Sequence, residues 1–161
     1  MKKIVLIFII LVTSCTFEKP TEFSELALKD KAYSLSDEQI SIQEILDKYK
    51  GKKILIDVWA SWCGDCAKSL PNVKNLQKDY PEVVFLFLSV DKSKRAWKNG
   101  ITRFNLKGEH YNLRKGMKDG EFVDFLNLGW IPRYLIVDKQ GKIQLHKATR
   151  ASDPAIVEAL K

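Results

Sequence analysis

Metal-ligand chemistry is thinly provided for: the 161 residues include two histidines, His110 and His146, and three cysteines. A structural zinc takes four ligands. One C-x-x-C pair and two distant histidines without ligand spacing do not supply them, so no metal is expected. The histidines read as surface or loop residues. Long apolar runs are also missing, since Ile4 to Val12 falls well short of the ~20 residues a spanning helix needs. The 27 basic residues outnumber 20 acidic ones, but they alternate with acids instead of clustering, which points away from nucleic acid. Internal repeats, low-complexity tracts and a second-domain boundary are lacking too. At 45% hydrophobic and 29% charged, what remains has the composition of one globular domain around a single core.

The first residues stand apart from that domain. Lys2 and Lys3 precede the apolar stretch, and Val12-Thr13-Ser14-Cys15 places small residues before a cysteine. This pattern reads as a signal peptide over residues 1–14. Ending on cysteine, it resembles a bacterial lipobox, and that resemblance implies cleavage leaving a lipid on Cys15. An ordinary cysteine in a secretory signal is the alternative. With Cys15 lipidated, the odd cysteine count resolves into one pair outside the cytoplasm. Loss of Lys2 and Lys3 lowers the formal charge from +7 to +5. Residues 15–33 read as a tether and N-terminal extension, and residues 34–161 as the domain.

Trp62-Cys63-Gly64-Asp65-Cys66 is the densest chemical stretch. If Cys63 caps a helix, Cys66 lies one turn in and both sulfurs come within disulfide reach. Exposed amides and the positive helix end then favour a thiolate at Cys63. Taken alone, the motif remains open between a redox pair, half a metal site and coincidence.

Around it the chain alternates strands and helices. Ser41-Ile42-Gln43-Glu44 has capping-box spacing, and Gly51 ends that helix. Ile54 to Trp59 reads as a strand. A helix follows from Cys63 towards Tyr80, with Pro71 bending it. Val83 to Val90 is almost continuously apolar, as in a central strand covered on both faces. Ser93 caps a helix carrying Trp97 and Ile101. Between Phe104 and Leu128 three glycines break the periodicity, leaving one short helix near Phe122. Tyr134–Val137 and Ile143–Leu145 flank a hairpin turn, and Asp153-Pro154 opens a terminal helix. The expected architecture is α/β, a central mixed sheet flanked by helices.

Two further features carry chemistry. Asp57 is the one charge inside Ile54–Trp59, so a central strand would bury a carboxyl and raise its pKa towards neutrality. An edge strand with Asp57 facing water is the alternative. Ile131-Pro132 precedes an apolar strand where a tight turn fits, although an X-Pro bond is cis in only ~5–6% of cases.

Together these residues resemble the thioredoxin superfamily. Ile54-Leu55-Ile56-Asp57-Val58-Trp59-Ala60-Ser61-Trp62-Cys63-Gly64-Asp65-Cys66 is similar to its strand and active-site motif, Pro71 to its helix-bending proline, and Gly129-Trp130-Ile131-Pro132 to its cis-proline loop. The lipobox and the long connection from Asp91 to Gly129 resemble the TlpA/ResA-like branch of membrane-tethered reductases. The resemblance implies a thioredoxin fold with an insertion before the cis-proline strand, and no cofactor. It implies Cys63 as nucleophile, Cys66 as shielded resolving thiol and Asp57 as proton acceptor. Trp62, Ile131 and Pro132 would form the apolar platform for substrate, with Trp59 packed in the core. Disulfide-containing envelope proteins are the implied substrates of a monomer held at a bacterial membrane, its domain in the periplasm, with a membrane electron donor.

Asp65 departs from the commonest thioredoxin motif, which has proline there. An acid beside the sulfurs disfavours thiolate and points to a reductant. Phe87 stands where thioredoxins often place a lysine. A peroxiredoxin-like thiol peroxidase would carry threonine where Ala60 stands, and a non-catalytic binding module usually lacks one of the two cysteines, whereas both are present.

Overall fold

The computed structural model describes residues 19–161. Residues 1–14, expected to be a signal peptide, and Cys15 lie outside the described residues. Thirteen elements follow in chain order: α1 (Glu25–Lys29), β1 (Lys31–Tyr33), β2 (Gln39–Ser41), α2 (Ile42–Asp47), β3 (Ile54–Trp59), α3 (Gly64–Asp79), β4 (Val84–Ser89), α4 (Lys94–Phe104), β5 (Glu109–Asn112), α5 (Glu121–Phe125), β6 (Arg133–Val137), β7 (Ile143–Ala148) and α6 (Pro154–Leu160).

The strands form one seven-stranded sheet in the order β2-β1-β5-β4-β3-β6-β7. β3, β4 and β5 run parallel, while β6 pairs antiparallel with β3, and β7 with β6. Every residue of β3 and β6 is buried, as their apolar runs require for strands covered on both faces. The helices flank this mixed sheet, and their starts follow the expected caps. Ser41 and Glu44 close a full capping box on α2. Ser93 caps α4, and Asp153 with Pro154 begins α6.

Two stretches depart from the sequence expectation. Part of the segment read as tether and N-terminal extension is integral to the sheet: α1 is capped by Ser24, and β1 sits between β2 and β5. Ala27 and Ala32 are fully buried, and Thr21 accepts a 2.7 Å hydrogen bond from the Ile143 amide. The domain therefore begins well before residue 34. A five-residue helix and a three-residue strand, anchored by alanines, are too short and too weakly apolar to show a period.

The second departure is β5, which lies in the glycine-broken stretch. His110 on β5 is buried, stacked on Phe87 with ring centroids 5.2 Å apart. His146 is on β7, half-buried, with its ring edge-on to Phe125 at 5.5 Å. Neither histidine is the surface or loop residue expected, because each ring packs against an aromatic face. Among the described residues no cluster of histidine, cysteine and acid is placed to hold a metal ion.

Candidate functional site

Strand β3 delivers the chain to the C-terminal edge of the sheet, and α3 leaves from there. Cys63 is the N-cap of α3, and its Sγ lies 3.0 Å from the Cys66 amide, which points at it. Cys63 and Cys66 form a disulfide, with Cα atoms 5.2 Å apart. In the dithiol state the same amide and the start of the 16-residue helix favour negative charge on Cys63. Expected to be the exposed sulfur, Cys63 is only 7% accessible against 4% for Cys66. The neighbouring loop accounts for this: the Ile131 carbonyl oxygen sits 3.6 Å from Cys63 Sγ. Cys63 still borders an open groove of about 880 Å³.

The Ile131–Pro132 peptide bond is cis. Ile131 and Pro132 are themselves buried, so of the expected platform only Trp62 stands in solvent, at 63% exposure. Trp130, at 57%, is the second exposed tryptophan of the groove, which sequence reasoning passed over. Trp59 is a core residue, its ring edge-on to Phe104.

Asp57 is buried in the middle of β3, paired with Phe87 on β4 and Tyr134 on β6. Its Oδ1 has no hydrogen-bond partner, and no cation stands in the Phe87 position. Burial pushes the carboxyl up to about 8. Tyr134, its cross-strand partner on the same face, is also raised, by burial first and then by the Asp57 charge, with the Ser69 hydroxyl of α3 acting the other way. The active-site helix thus covers the face that carries Asp57.

A buried polar network unforeseen from the sequence holds the loop before Cys63. Asp91 accepts hydrogen bonds from the Ser61 amide at 2.8 Å and from Ser61 Oγ at 2.7 Å, and its carboxylate also meets Ser89 Oγ at 2.8 Å. Asn112 Nδ2 donates to the Asp91 carbonyl at 2.8 Å, tying β5 into the cluster. Arg103 of α4 donates to the Ser61 carbonyl. Asp91 ends the apolar run of β4 much as Asp57 interrupts that of β3, and this was its one sequence signal. Asp65 pairs with Lys68 at 3.2 Å on the surface.

A disulfide at the N-terminus of a helix, leaving the end of a central parallel strand and backed by a cis-proline loop, is the arrangement of the thioredoxin fold. Residues 51–143 match the family model described as thioredoxin-like, and the chain belongs to that family. It is 31% identical over 121 residues to the thioredoxin-like protein YneN of Bacillus subtilis, covering 72% of this chain and 66% of that one. Against the thiol-disulfide oxidoreductase ResA of Bacillus cereus it is 30% identical over 100 residues, covering 61% and 56%. The chain therefore spans about 56–66% of the length of these curated relatives. A solution structure of a protein from Bacteroides vulgatus superposes with a TM-score of 0.66 at 37% identity, covering 81% of this chain and 82% of that one.

Proposed function

We propose that this protein is a thiol-disulfide oxidoreductase that reduces disulfides of envelope proteins. The observation that carries the reading is the Cys63–Cys66 disulfide capping α3 at the edge of an open groove, on the helix that leaves the strand burying Asp57. The Cys63 thiolate attacks one sulfur of a substrate disulfide and displaces the other as a thiolate. Asp57 takes the proton of Cys66, whose thiolate attacks Cys63 in the mixed disulfide. The second substrate sulfur leaves, two electrons pass to the substrate, and Cys63–Cys66 is left oxidised. A membrane dithiol donor then restores the pair.

Reduction is the proposed direction. Asp65 in the first turn of α3 disfavours thiolate and so the dithiol, although Lys68 offsets part of its field. Lipid on Cys15 would hold a monomeric domain at a bacterial membrane, facing the periplasm. The ResA relatives, named as thiol-disulfide oxidoreductases, support the chemistry.

Insulin turnover with the full chain tests the activity, and Cys63→Ser should abolish it. A Cys63→Ser protein equal to wild type would leave a non-catalytic thioredoxin-fold module. Titration against glutathione tests the direction, and a potential as oxidising as that of dedicated disulfide-forming oxidants would overturn it. Mixed disulfides trapped with Cys66→Ser identify the substrates.

A further inference from the structure

Each turnover leaves Asp57 with a proton to release. It takes that proton from Cys66 as the mixed disulfide resolves, and must lose it before the next cycle. Once Cys63–Cys66 has closed, neither sulfur carries a proton, so the entry path is no longer an exit. Asp57 is 2% exposed, and a proton leaving it needs polar atoms to travel on.

Its neighbours leave one direction open. On the β4 side stands Phe87, whose side chain has no polar atom. On the β6 side stands Tyr134, directly opposite, so both side chains rise from one face with Cβ atoms about 5 Å apart. Tyr134 is fully buried, and its hydroxyl, like Asp57 Oδ1, has no hydrogen-bond partner. The next residue across the sheet is Ala148 of β7. One position on, Thr149 lines a second groove of about 450 Å³, with Lys68, Asn72, Arg150 and Ser152 giving it the polar walls that water requires. Ser69 connects groove and ring: it lies on α3 one turn after Cys66, is half-buried at the groove, and its hydroxyl acts on Tyr134. Burial alone shifts Asp57, so among the described residues no charged side chain acts on it. The titratable groups facing it are Tyr134 of β6 and, in the dithiol, Cys66 of α3, while α6 turns Ile156 and Leu160 inward. Asp65, Lys68 and Arg150 belong to the groove.

We infer that Tyr134 and Ser69 form the proton exit of Asp57, leading to the groove between α3 and the end of β7. The Asp57 carboxyl gives its proton to Tyr134 Oη, the tyrosine's own proton passes to Ser69 Oγ, and the serine's passes to solvent. Tyr134 and Ser69 each end neutral, Asp57 ends as carboxylate, and no electron moves. The reverse sequence reloads Asp57. Its purpose rests on the oxidoreductase reading, but the route itself operates in the oxidised protein without substrate.

The test follows Asp57 in the oxidised full chain, where no thiol chemistry intervenes. The pH is jumped from about two units below to about two units above its value of about 8. Time-resolved infrared absorption follows the protonated carboxyl band, which Asp57→Asn identifies by its loss. Tyr134→Phe keeps the ring and removes only the hydroxyl. It should slow decay of the band by about tenfold or more, while the equilibrium midpoint stays near that of wild type. Ser69→Ala should slow the decay as well, and Ser69→Thr, which restores a hydroxyl, should recover the wild-type rate. A rate unchanged in Tyr134→Phe, a Ser69→Thr protein as slow as Ser69→Ala, or slowing matched by an equal shift of the midpoint would each overturn the inference. Because no substrate is present, the result stands apart from insulin turnover: a Cys63→Ser protein that still reduced insulin would sink the oxidoreductase reading and leave the exit route standing.

Discussion

Asp91 holds Ser61 by both its amide and its hydroxyl, at 2.8 and 2.7 Å, two residues ahead of the Cys63 cap. The carboxylate is buried at the end of β4, so these donors set where the chain turns from β3 into α3. Asparagine keeps the shape but can present only one acceptor atom, and turns an NH₂ towards a donor. Asp91→Asn should lose about 2–3 kcal/mol of stability in urea denaturation. It should also slow alkylation or disulfide exchange at Cys63, since the cap position is no longer fixed. Wild-type values for both would show that the clamp is dispensable.

Gly100 tests the same loop from the other side. A Cβ on this α4 residue would lie 2.7 Å from Ser61 Cβ and 3.1 Å from the Trp59 ring. Alanine gains about 1 kcal/mol of helix propensity over glycine. Overpacking of a buried contact costs about 1–3 kcal/mol, and here the contact leaves little room to give. Gly100→Ala should therefore destabilise the fold despite the better helix former, with the near-ultraviolet circular dichroism of Trp59 altered. A more stable variant with an unchanged spectrum would mean that α4 shifts freely.

The buried carboxyl of Asp57 makes stability depend on pH in a defined direction. Its pKa is about 8 in the folded chain against an ordinary 3.8, with burial as the cause. Folded protein keeps a proton that the unfolded chain releases near pH 4. This group's contribution is thus fully present below about pH 4, is lost as pH rises to about 8, and is level above that. The loss is on the order of 5 kcal/mol. Asp57→Asn should flatten the decline of oxidised-state stability between pH 4 and 8, read by denaturant unfolding at each pH. In turnover, the wild-type rate should climb through pH 8 as Asp57 becomes able to accept a proton, and the variant should lack that limb. Parallel stability curves for the two proteins would remove Asp57 from the titration.

What the sequence disclosed follows from how each feature is encoded. β3, β4 and α3 are long enough to display a continuous apolar run or a helical stripe, and local capping chemistry marked Ser41, Ser93 and Asp153. The C-x-x-C pair and Asp57 stood out because each is chemically unlike its neighbours. β1 and β5 stayed hidden, since strands of three and four residues owe their existence to partners distant in the chain: Tyr33 pairs with Asn112, seventy-nine positions on. The Ser61–Asp91–Asn112 network was illegible for the same reason. Its members are ordinary polar residues until the sheet brings three strand ends together. The exposure of Trp130 and the burial of Pro132 likewise depend on which way one loop folds over the sulfur.

That loop is anchored by a cation without a counter-ion. Arg133 is 2% exposed, donates to the Leu126 carbonyl at the end of α5 at 2.7 Å, and leaves Nε unpartnered. Among the described residues no carboxylate lies within ion-pair distance of it, so desolvation of the guanidinium opposes the hydrogen bond it makes. Arg133→Met removes both effects: about 1–3 kcal/mol is lost by orphaning the Leu126 carbonyl, and relief of the buried charge recovers a comparable amount. Global stability should change little. Local order should not survive equally, because the bond ties together the two ends of the segment from Leu126 to Arg133 that carries Trp130 and Ile131. Hydrogen exchange at Gly129, Trp130 and Ile131 should accelerate by tenfold or more, roughly the loss of one such bond, while Tyr134 to Val137 in β6 stay protected. Unchanged exchange in that loop, with stability kept, would mean that the sheet and the Cys63 contact hold it without Arg133.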